Sequence, residues 1–329
     1  MFHLFKKTTT MMTEKLITEQ DIISARDVIT GQLYRTSMQR SSFLGDQIGV
    51  RLYLKLEMFQ KTGSFKPRGV LNRLNHMRQE EKEKGVITLS AGNHAQAVSW
   101  AAAQAGVPAT VVMPVAAVQA KVDATRGYGG EVIQTEGDLL QTCMAIGEER
   151  DLTLVHPFDH LDTIAGTGTL GMELVEDVPD VDVVIAGVGG GGLIAGVAAA
   201  LKLRKPDVTV IGVEPEGAPT MTRSLQKGEP VHLGHLDTIA DGLAAPFVGV
   251  HNLRHVQAYV DDLVLVSDEE IAFAMGVILE RCKVLAEPAA ASTVAALLAG
   301  KITITGGRTV ACILSGGNID RERLCVVLG

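Results

Sequence analysis

VDVVIAGVGGGGLIAGVAAALKL, residues 181–203, is the stretch that decides how this chain folds. Residues 181–186 are continuously apolar apart from Asp182, as expected of a strand covered on both faces. Residues 193–203 are strongly apolar with few breakers, so they read as a buried helix. Between them Gly187 to Gly192 reads GVGGGG. Backbone free of side chains, turning into a helix N-terminus, offers a cradle of N–H donors to a phosphate. Gly187, Gly189 and Gly192 also stand in the register of the dinucleotide fingerprint, with Glu214 about one βαβ unit later. The loop therefore binds an anionic group, and these residues alone leave open which cofactor carries it.

On either side, short apolar runs alternate with helical patterns. Runs at 86–89, 109–113, 131–135 and 152–156 read as strands, with helices at 92–105, 118–126 and 139–150. Crossover helices imply a parallel sheet. A second series has strands at 181–186, 208–213, 262–266 and 309–314, with helices at 193–203, 268–281 and 289–298. Ser267 ahead of Asp268, Glu269 and Glu270 is a helix start, because the cap and the acidic first turn both favour it. The charged run 78–84, closed by Gly85, reads as a solvated helix end and marks the junction of two lobes. The division expected is a small α/β domain at 79–162 and a large one made of 1–78 and 163–329.

A length of 329 residues suits two lobes, and 46% hydrophobic with 21% charged residues describes a globular chain. The net charge of −8, the absence of any Lys/Arg block, one Trp and four Tyr argue against nucleic acid as a partner. Cys143, Cys282, Cys312 and Cys325 form no C-x-x-C pair and have no nearby His, so they read as reduced, buried thiols of a cytoplasmic protein. Two long charge-free stretches, 183–201 and 95–120, carry six glycines and Pro108 with Pro114 respectively. Neither makes a continuous membrane-spanning helix. The N-terminus, MFHLFKKTTTMM, lacks the apolar core of a secretory signal and reads as a loose tail, with ordered structure starting near Met11 or Met12.

Four places carry candidate chemistry. Lys66 sits in TGSFKPRG (62–69), where Pro67 suits the first position of a helix running to about Met77. With Phe65 as an apolar wall, a desolvated amine there has a lowered pKa and can form a Schiff base. Taken singly, a surface lysine at a helix start explains it better. SAGNHAQA (90–97) follows the run 86–89, placing Ser90, Asn93 and His94 at the carboxyl end of a strand, where a helix N-terminus favours a carboxylate. Ordinary capping by Ser90 or Asn93, with His94 bonded in the interior, is an equal reading. Ser315 in LSGGN (314–318) ends another apolar strand, and turn chemistry alone accounts for it. Glu214 in VEPEG (213–217) could hold a ribose, hold a cation, or simply face solvent.

Together, Lys66 in TGSFKPRG, Asn93 in SAGNHA, the Gly189–Gly192 loop and Ser315 in SGGN resemble the fold-type II pyridoxal-phosphate enzymes, in the serine/threonine dehydratase branch. The resemblance runs from about Asp21 to the C-terminus. It implies an α/β fold of two open, twisted, mostly parallel sheets flanked by helices, similar to the tryptophan synthase β subunit. It implies pyridoxal 5′-phosphate bonded to Lys66, with Phe65 against its ring and Asn93 on its 3-hydroxyl. The N–H groups of Gly189, Gly190, Gly191 and Gly192 would hold its phosphate, and Ser315 would face its ring nitrogen. Ser90, Ala91, Gly92, Asn93 and His94 would take the substrate carboxylate. The implied reaction is β-elimination from threonine or serine to a 2-oxoacid and ammonia, with Lys66 as general base.

Three departures refine this expectation. Relatives that racemise serine carry a second serine where this chain has Ala91, so dehydration is favoured over racemisation. Their divalent-cation positions correspond to Glu214, Ala218 and Thr220; an acidic residue is missing at the last, and no metal is expected. The chain stops at Gly329, resembling the short catabolic type without a regulatory domain. A 3-hydroxyaspartate dehydratase or serine racemase remains the alternative within the family. An NAD-dependent dehydrogenase is the rival that the glycine loop alone suggests. By analogy, the enzyme is expected to be a homo-oligomer, a dimer or tetramer, with no membrane partner.

Overall fold

The computed structural model describes residues 15–329, so the N-terminal tail expected from the sequence lies outside the described residues. The described strands, in chain order, are β1 Met38–Arg40, β2 Arg51–Leu56, β3 Val86–Leu89, β4 Ala109–Pro114, β5 Glu131–Thr135, β6 Thr153–Leu154, β7 Val183–Gly187, β8 Thr209–Pro215, β9 Asp262–Val266 and β10 Thr309–Leu314. They form a six-stranded sheet in the order β1-β2-β10-β7-β8-β9 and a four-stranded sheet in the order β5-β4-β3-β6. Every pairing is parallel except β1 with β2. The fold class is the expected one: α/β, two mostly parallel sheets flanked by helices.

Position in each sheet follows from composition. Every residue of β7 (VVIAG) and β10 (TVACIL) is buried, so these runs, apolar but for Thr309, become central strands covered by helices on both faces. β5 (EVIQT) buries none of its residues fully and lies at an edge. β10, last in sequence, enters between β2 and β7 and fills the middle of the large sheet.

No expectation covers β1, β2 or the helices Glu19–Ile29, Ser42–Ile48, Thr220–Lys227, Val250–Tyr259 and Arg321–Leu328, and three further elements differ in ways that bear on the site. The strand proposed at 152–156 shrinks to β6, because His156 Nδ1 accepts the N–H groups of Phe158 (3.3 Å) and Asp159 (2.9 Å) and turns the chain out of the ladder. The helix at 268–281 ends at Val277 and continues as a π turn, Ile278–Cys282, stopped by Lys283 at φ +62°. The 17-residue helix Leu161–Asp177 carries Gly166, Gly168 and Gly171, breakers that hide it from periodicity. Those glycines serve close packing. A Cβ on Gly166 would lie 2.4 Å from the Arg68 carbonyl, and one on Gly196 of the helix Gly192–Arg204 would lie 2.2 Å from the Ile164 carbonyl.

Cys143, Cys282 and Cys312 are buried as expected, but Cys325 is exposed, since its helix Arg321–Leu328 buries none of its residues. Among the described residues no helix is long and apolar enough to cross a membrane.

Candidate active site

The candidate residues gather where parallel strands end, the usual place for a ligand in such sheets. Lys66 is the first residue of the helix Lys66–Asn75, with Pro67 one position further in than expected. Its Nζ donates to the Pro157 carbonyl at 3.1 Å and lies 5.2 Å from the centre of the Phe65 ring. Burial pulls this amine down to about 8 from the usual 10.5, against the opposing attraction of Glu287. That is a poised amine.

Segment 62–66 is tied to segment 315–318. Phe65 N–H donates to the Ser315 carbonyl (3.0 Å), Gly317 N–H donates to the Gly63 carbonyl (3.0 Å), and Ser64 bridges to Gly316. Ser315 therefore sits buried beside Phe65, just beyond the end of β10. Thr62 holds φ +59°, an unusual conformation for a β-branched residue, where the chain turns toward Lys66.

In the SAGNHA segment the capping alternative is not what forms. The helix Asn93–Gln104 has Gly92 as its N-cap and no side-chain cap bond, so the N–H groups of its first turn stay open to an acceptor. Ser90 Oγ instead accepts the Gly92 N–H at 3.1 Å, inside its own loop. His94 is buried, its Nε2 against the Val155 carbonyl at 3.2 Å and its Nδ1 without a hydrogen-bond partner. Burial, then the neighbouring Lys66 charge, push it down to about 3, so it is a neutral ring.

The glycine loop is just as open. Gly191, at φ +95°, is the N-cap of the helix Gly192–Arg204 and no side chain caps it. Asn252 Nδ2 holds the loop by donating to the carbonyls of Gly190 (2.8 Å) and Phe158 (3.2 Å). A Cβ on Gly190 would meet the Phe158 ring at 2.5 Å, and one on Gly191 would meet Met221 Cε at 2.6 Å. Only glycine fits there. A pocket lined among others by Phe65, Lys66, His94, Phe158, Thr163 and Gly192 joins the lysine to the start of the glycine-loop helix, while Ser90, Asn93 and Ser315 lie outside its lining. Thr163 Oγ1, buried and unpartnered, adds a polar group with no use inside the protein. A buried amine, an uncapped helix N-terminus and unpaired polar atoms around one pocket fit pyridoxal phosphate.

Several site residues escaped the sequence reading. Glu287, just ahead of the helix Pro288–Leu298, accepts from Asn93 Nδ2 at 2.7 Å and from the Asn318 N–H at 3.1 Å. Burial, together with the Asp241 charge, pushes its carboxyl up to about 7. Its only signal was a lone acid in an apolar run, AEPAAAS (286–292). Asn318 stood in plain view at the end of SGGN. Beneath Lys66, Arg68 is fully buried between Glu57 (2.8 and 2.9 Å) and Glu173 (2.7 and 2.9 Å), and Lys55 joins Glu173 at 2.7 Å. This cluster pins the start of the Lys66 helix to the end of β2 and to the helix Leu161–Asp177.

Of the readings the sequence leaves open for Glu214, the solvent-facing one is overturned. It is buried, and its carboxylate accepts from the N–H groups of Met221 (2.7 Å) and Thr222 (2.9 Å) and from the Thr222 hydroxyl (2.6 Å). It caps the helix Thr220–Lys227.

Known proteins resemble this chain along nearly its whole length. An L-threonine ammonia-lyase of Thermotoga maritima is 45% identical over 309 residues, 93% of this chain and 76% of that protein. A catabolic L-threonine dehydratase of Staphylococcus aureus is 41% identical over 327 residues, 98% of this chain and 94% of its own. The solved structure of maize serine racemase superposes with a TM-score of 0.89 at 36% identity, covering 93% of this chain and 95% of that one. The pyridoxal-phosphate dependent enzyme family matches residues 29–316. By this match over most of its length, the chain belongs to the pyridoxal-phosphate dependent enzymes.

Proposed function

We infer that this enzyme deaminates L-threonine, and L-serine with it, releasing 2-oxobutanoate or pyruvate and ammonia. The observation that carries the reading is Lys66: a half-buried lysine whose amine meets the Pro157 carbonyl at 3.1 Å, in a pocket that also presents an uncapped glycine-loop helix. The relatives named threonine ammonia-lyase and threonine dehydratase, at 45% and 41% identity, support the substrate.

In this reading Phe65, Lys66, Asn93, Gly189, Gly190, Gly191, Gly192 and Ser315 hold the cofactor, and Ser90 to His94 face the substrate. When bound, pyridoxal phosphate supplies an electron sink for charge that develops at the substrate Cα. Lys66 Nζ takes the Cα proton, and an amine near 8 is well matched to that task at neutral pH. The same atom returns a proton to the departing hydroxyl, which leaves as water. The open N–H groups at the start of the helix Asn93–Gln104 orient the substrate carboxylate. Ser315 offers the ring nitrogen a neutral hydroxyl, which leaves that nitrogen uncharged and favours elimination over transamination. Ala91 supplies no second proton carrier, and this favours dehydration over racemisation.

Glu214 is already used as a cap, which supports a reaction without a metal at that position. The sheet membership supports a small lobe at 79–162 and a large one from the remainder. A cytoplasmic homo-oligomer completes the reading.

The test is Lys66→Ala. The purified wild type should show a visible cofactor absorbance and release 2-oxoacid from threonine, and the variant should lose both. Comparable 2-oxoacid release by the variant would sink the assignment.

A further inference from the structure

Three side chains close a hydrogen-bonded ring at the edge of the site. Asn93 Nδ2 donates to Glu287 Oε1 (2.7 Å), the Asn318 N–H donates to Glu287 Oε2 (3.1 Å), and Asn318 Nδ2 donates to Asn93 Oδ1 (2.8 Å). Asn318 Nδ2 spends its other hydrogen on the Thr62 carbonyl at 2.7 Å. The ring has a direction. Once Glu287 is ionised its carboxylate only accepts, so the atom of Asn93 facing it is then the nitrogen. A flipped Asn93 would turn its oxygen toward Glu287 and its NH2 toward the NH2 of Asn318, a misfit at both ends. Asn318 cannot turn to accommodate the flip, because Thr62 needs its second hydrogen and the backbone N–H cannot rotate.

We propose that Glu287 and Asn318 are positioning residues that fix which way the Asn93 carboxamide faces, leaving one N–H of Asn93 for the cofactor. The ring also crosses the molecule: Asn93 belongs to a helix packed on the four-stranded sheet, whereas Glu287 and Asn318 adjoin the six-stranded one. It thereby sets the approach of Asn93 to Lys66 as well as its orientation. Charged groups facing Glu287 are Lys66, Asp241 and Lys121, and Asp241 is itself paired with Lys121 at 2.6 Å and Arg323 at 3.9 Å. Replacing Glu287 alone therefore alters charge as well as orientation, while replacing Asn318 alters orientation only.

This inference rests on the cofactor reading above, and the experiment separates the two. Substrate-free holoenzyme is titrated from acid to alkali, following the visible absorbance of the cofactor joined to Lys66. The set is wild type, Asn318→Ala, Glu287→Gln and Glu287→Asp, with thermal unfolding of each. Asn318→Ala and Glu287→Gln should each displace the spectral midpoint by about one pH unit, a tenfold change in the proton equilibrium, and release the cofactor faster. Glu287→Asp, which keeps two acceptor oxygens, should return close to the wild-type midpoint. Folded variants that titrate with the wild type would overturn the proposal, as would a shift confined to Glu287→Gln, which would be charge alone. If Glu287→Gln does not fold, the shift or constancy of Asn318→Ala decides. A wild-type protein that takes up no pyridoxal phosphate would instead refute the cofactor reading.

Discussion

Raising the pH from about 7.5 to about 10.5 will stabilise the cofactor-free protein relative to its Lys66→Met variant, because the variant lacks one buried titration. In the unfolded chain Lys66 holds its proton up to the ordinary 10.5, whereas burial makes the folded chain release it at about 8. Below 8 both forms are protonated, and folding must carry an ammonium into the interior. Between those values the unfolded state binds the extra proton, so stability rises with pH. At ~1.4 kcal/mol per unit of pH, the window is worth roughly 3 kcal/mol, reached at its alkaline end. Urea unfolding of both proteins at intervals across the window measures it. Tyrosines and cysteines titrate in both, so the difference between the two curves isolates Lys66. Parallel curves, differing by less than about 1 kcal/mol from end to end, would refute the claim that burial disfavours the charged amine.

Other perturbations have equally definite outcomes. Gly190→Ala places a methyl group 2.5 Å from the Phe158 ring. It should cost about 1–3 kcal/mol in urea unfolding and weaken cofactor retention, read by absorbance after dialysis. Arg68→Ala strands the fully buried Glu57 and leaves Glu173 only its Lys55 partner, so denaturant unfolding should show a loss of about 3–5 kcal/mol. Glu287, held to about 7 in the fold against 4.5 in the open chain, binds a proton that the unfolded state has lost, so wild-type stability should fall as pH rises through that window. Glu287→Gln should flatten that decline in the same measurement.

The parts of the molecule that the sequence reveals are those with a local signature. The runs that became β7 and β10 are apolar apart from Asp182 and Thr309 at their starts, and the glycine loop advertises its backbone, so strand, loop and helix follow from neighbours in sequence. Lys66, Asn93 and Ser315 became legible only in combination, because each alone is explained by a helix start or a turn. Glu287 and Arg68 were beyond reach for a different reason. Their meaning lies in partners such as Asn93 and Glu173, more than a hundred positions away, and no periodicity reports such a contact. The helix Leu161–Asp177 was hidden by its own packing, since the glycines that let it meet the helix Gly192–Arg204 resemble breakers.

The place of β10 has a consequence for how this enzyme is made. It is the last strand to leave the ribosome, yet it fills the gap between β2 and β7, and the residues just after it complete the surroundings of Lys66. Until some three hundred residues have been synthesised, β2 and β7 each present an unpaired edge that invites pairing with another chain. A nascent chain therefore spends most of its synthesis without a working site and in its most aggregation-prone form. Chaperone dependence should concentrate in that interval and end when β10 docks.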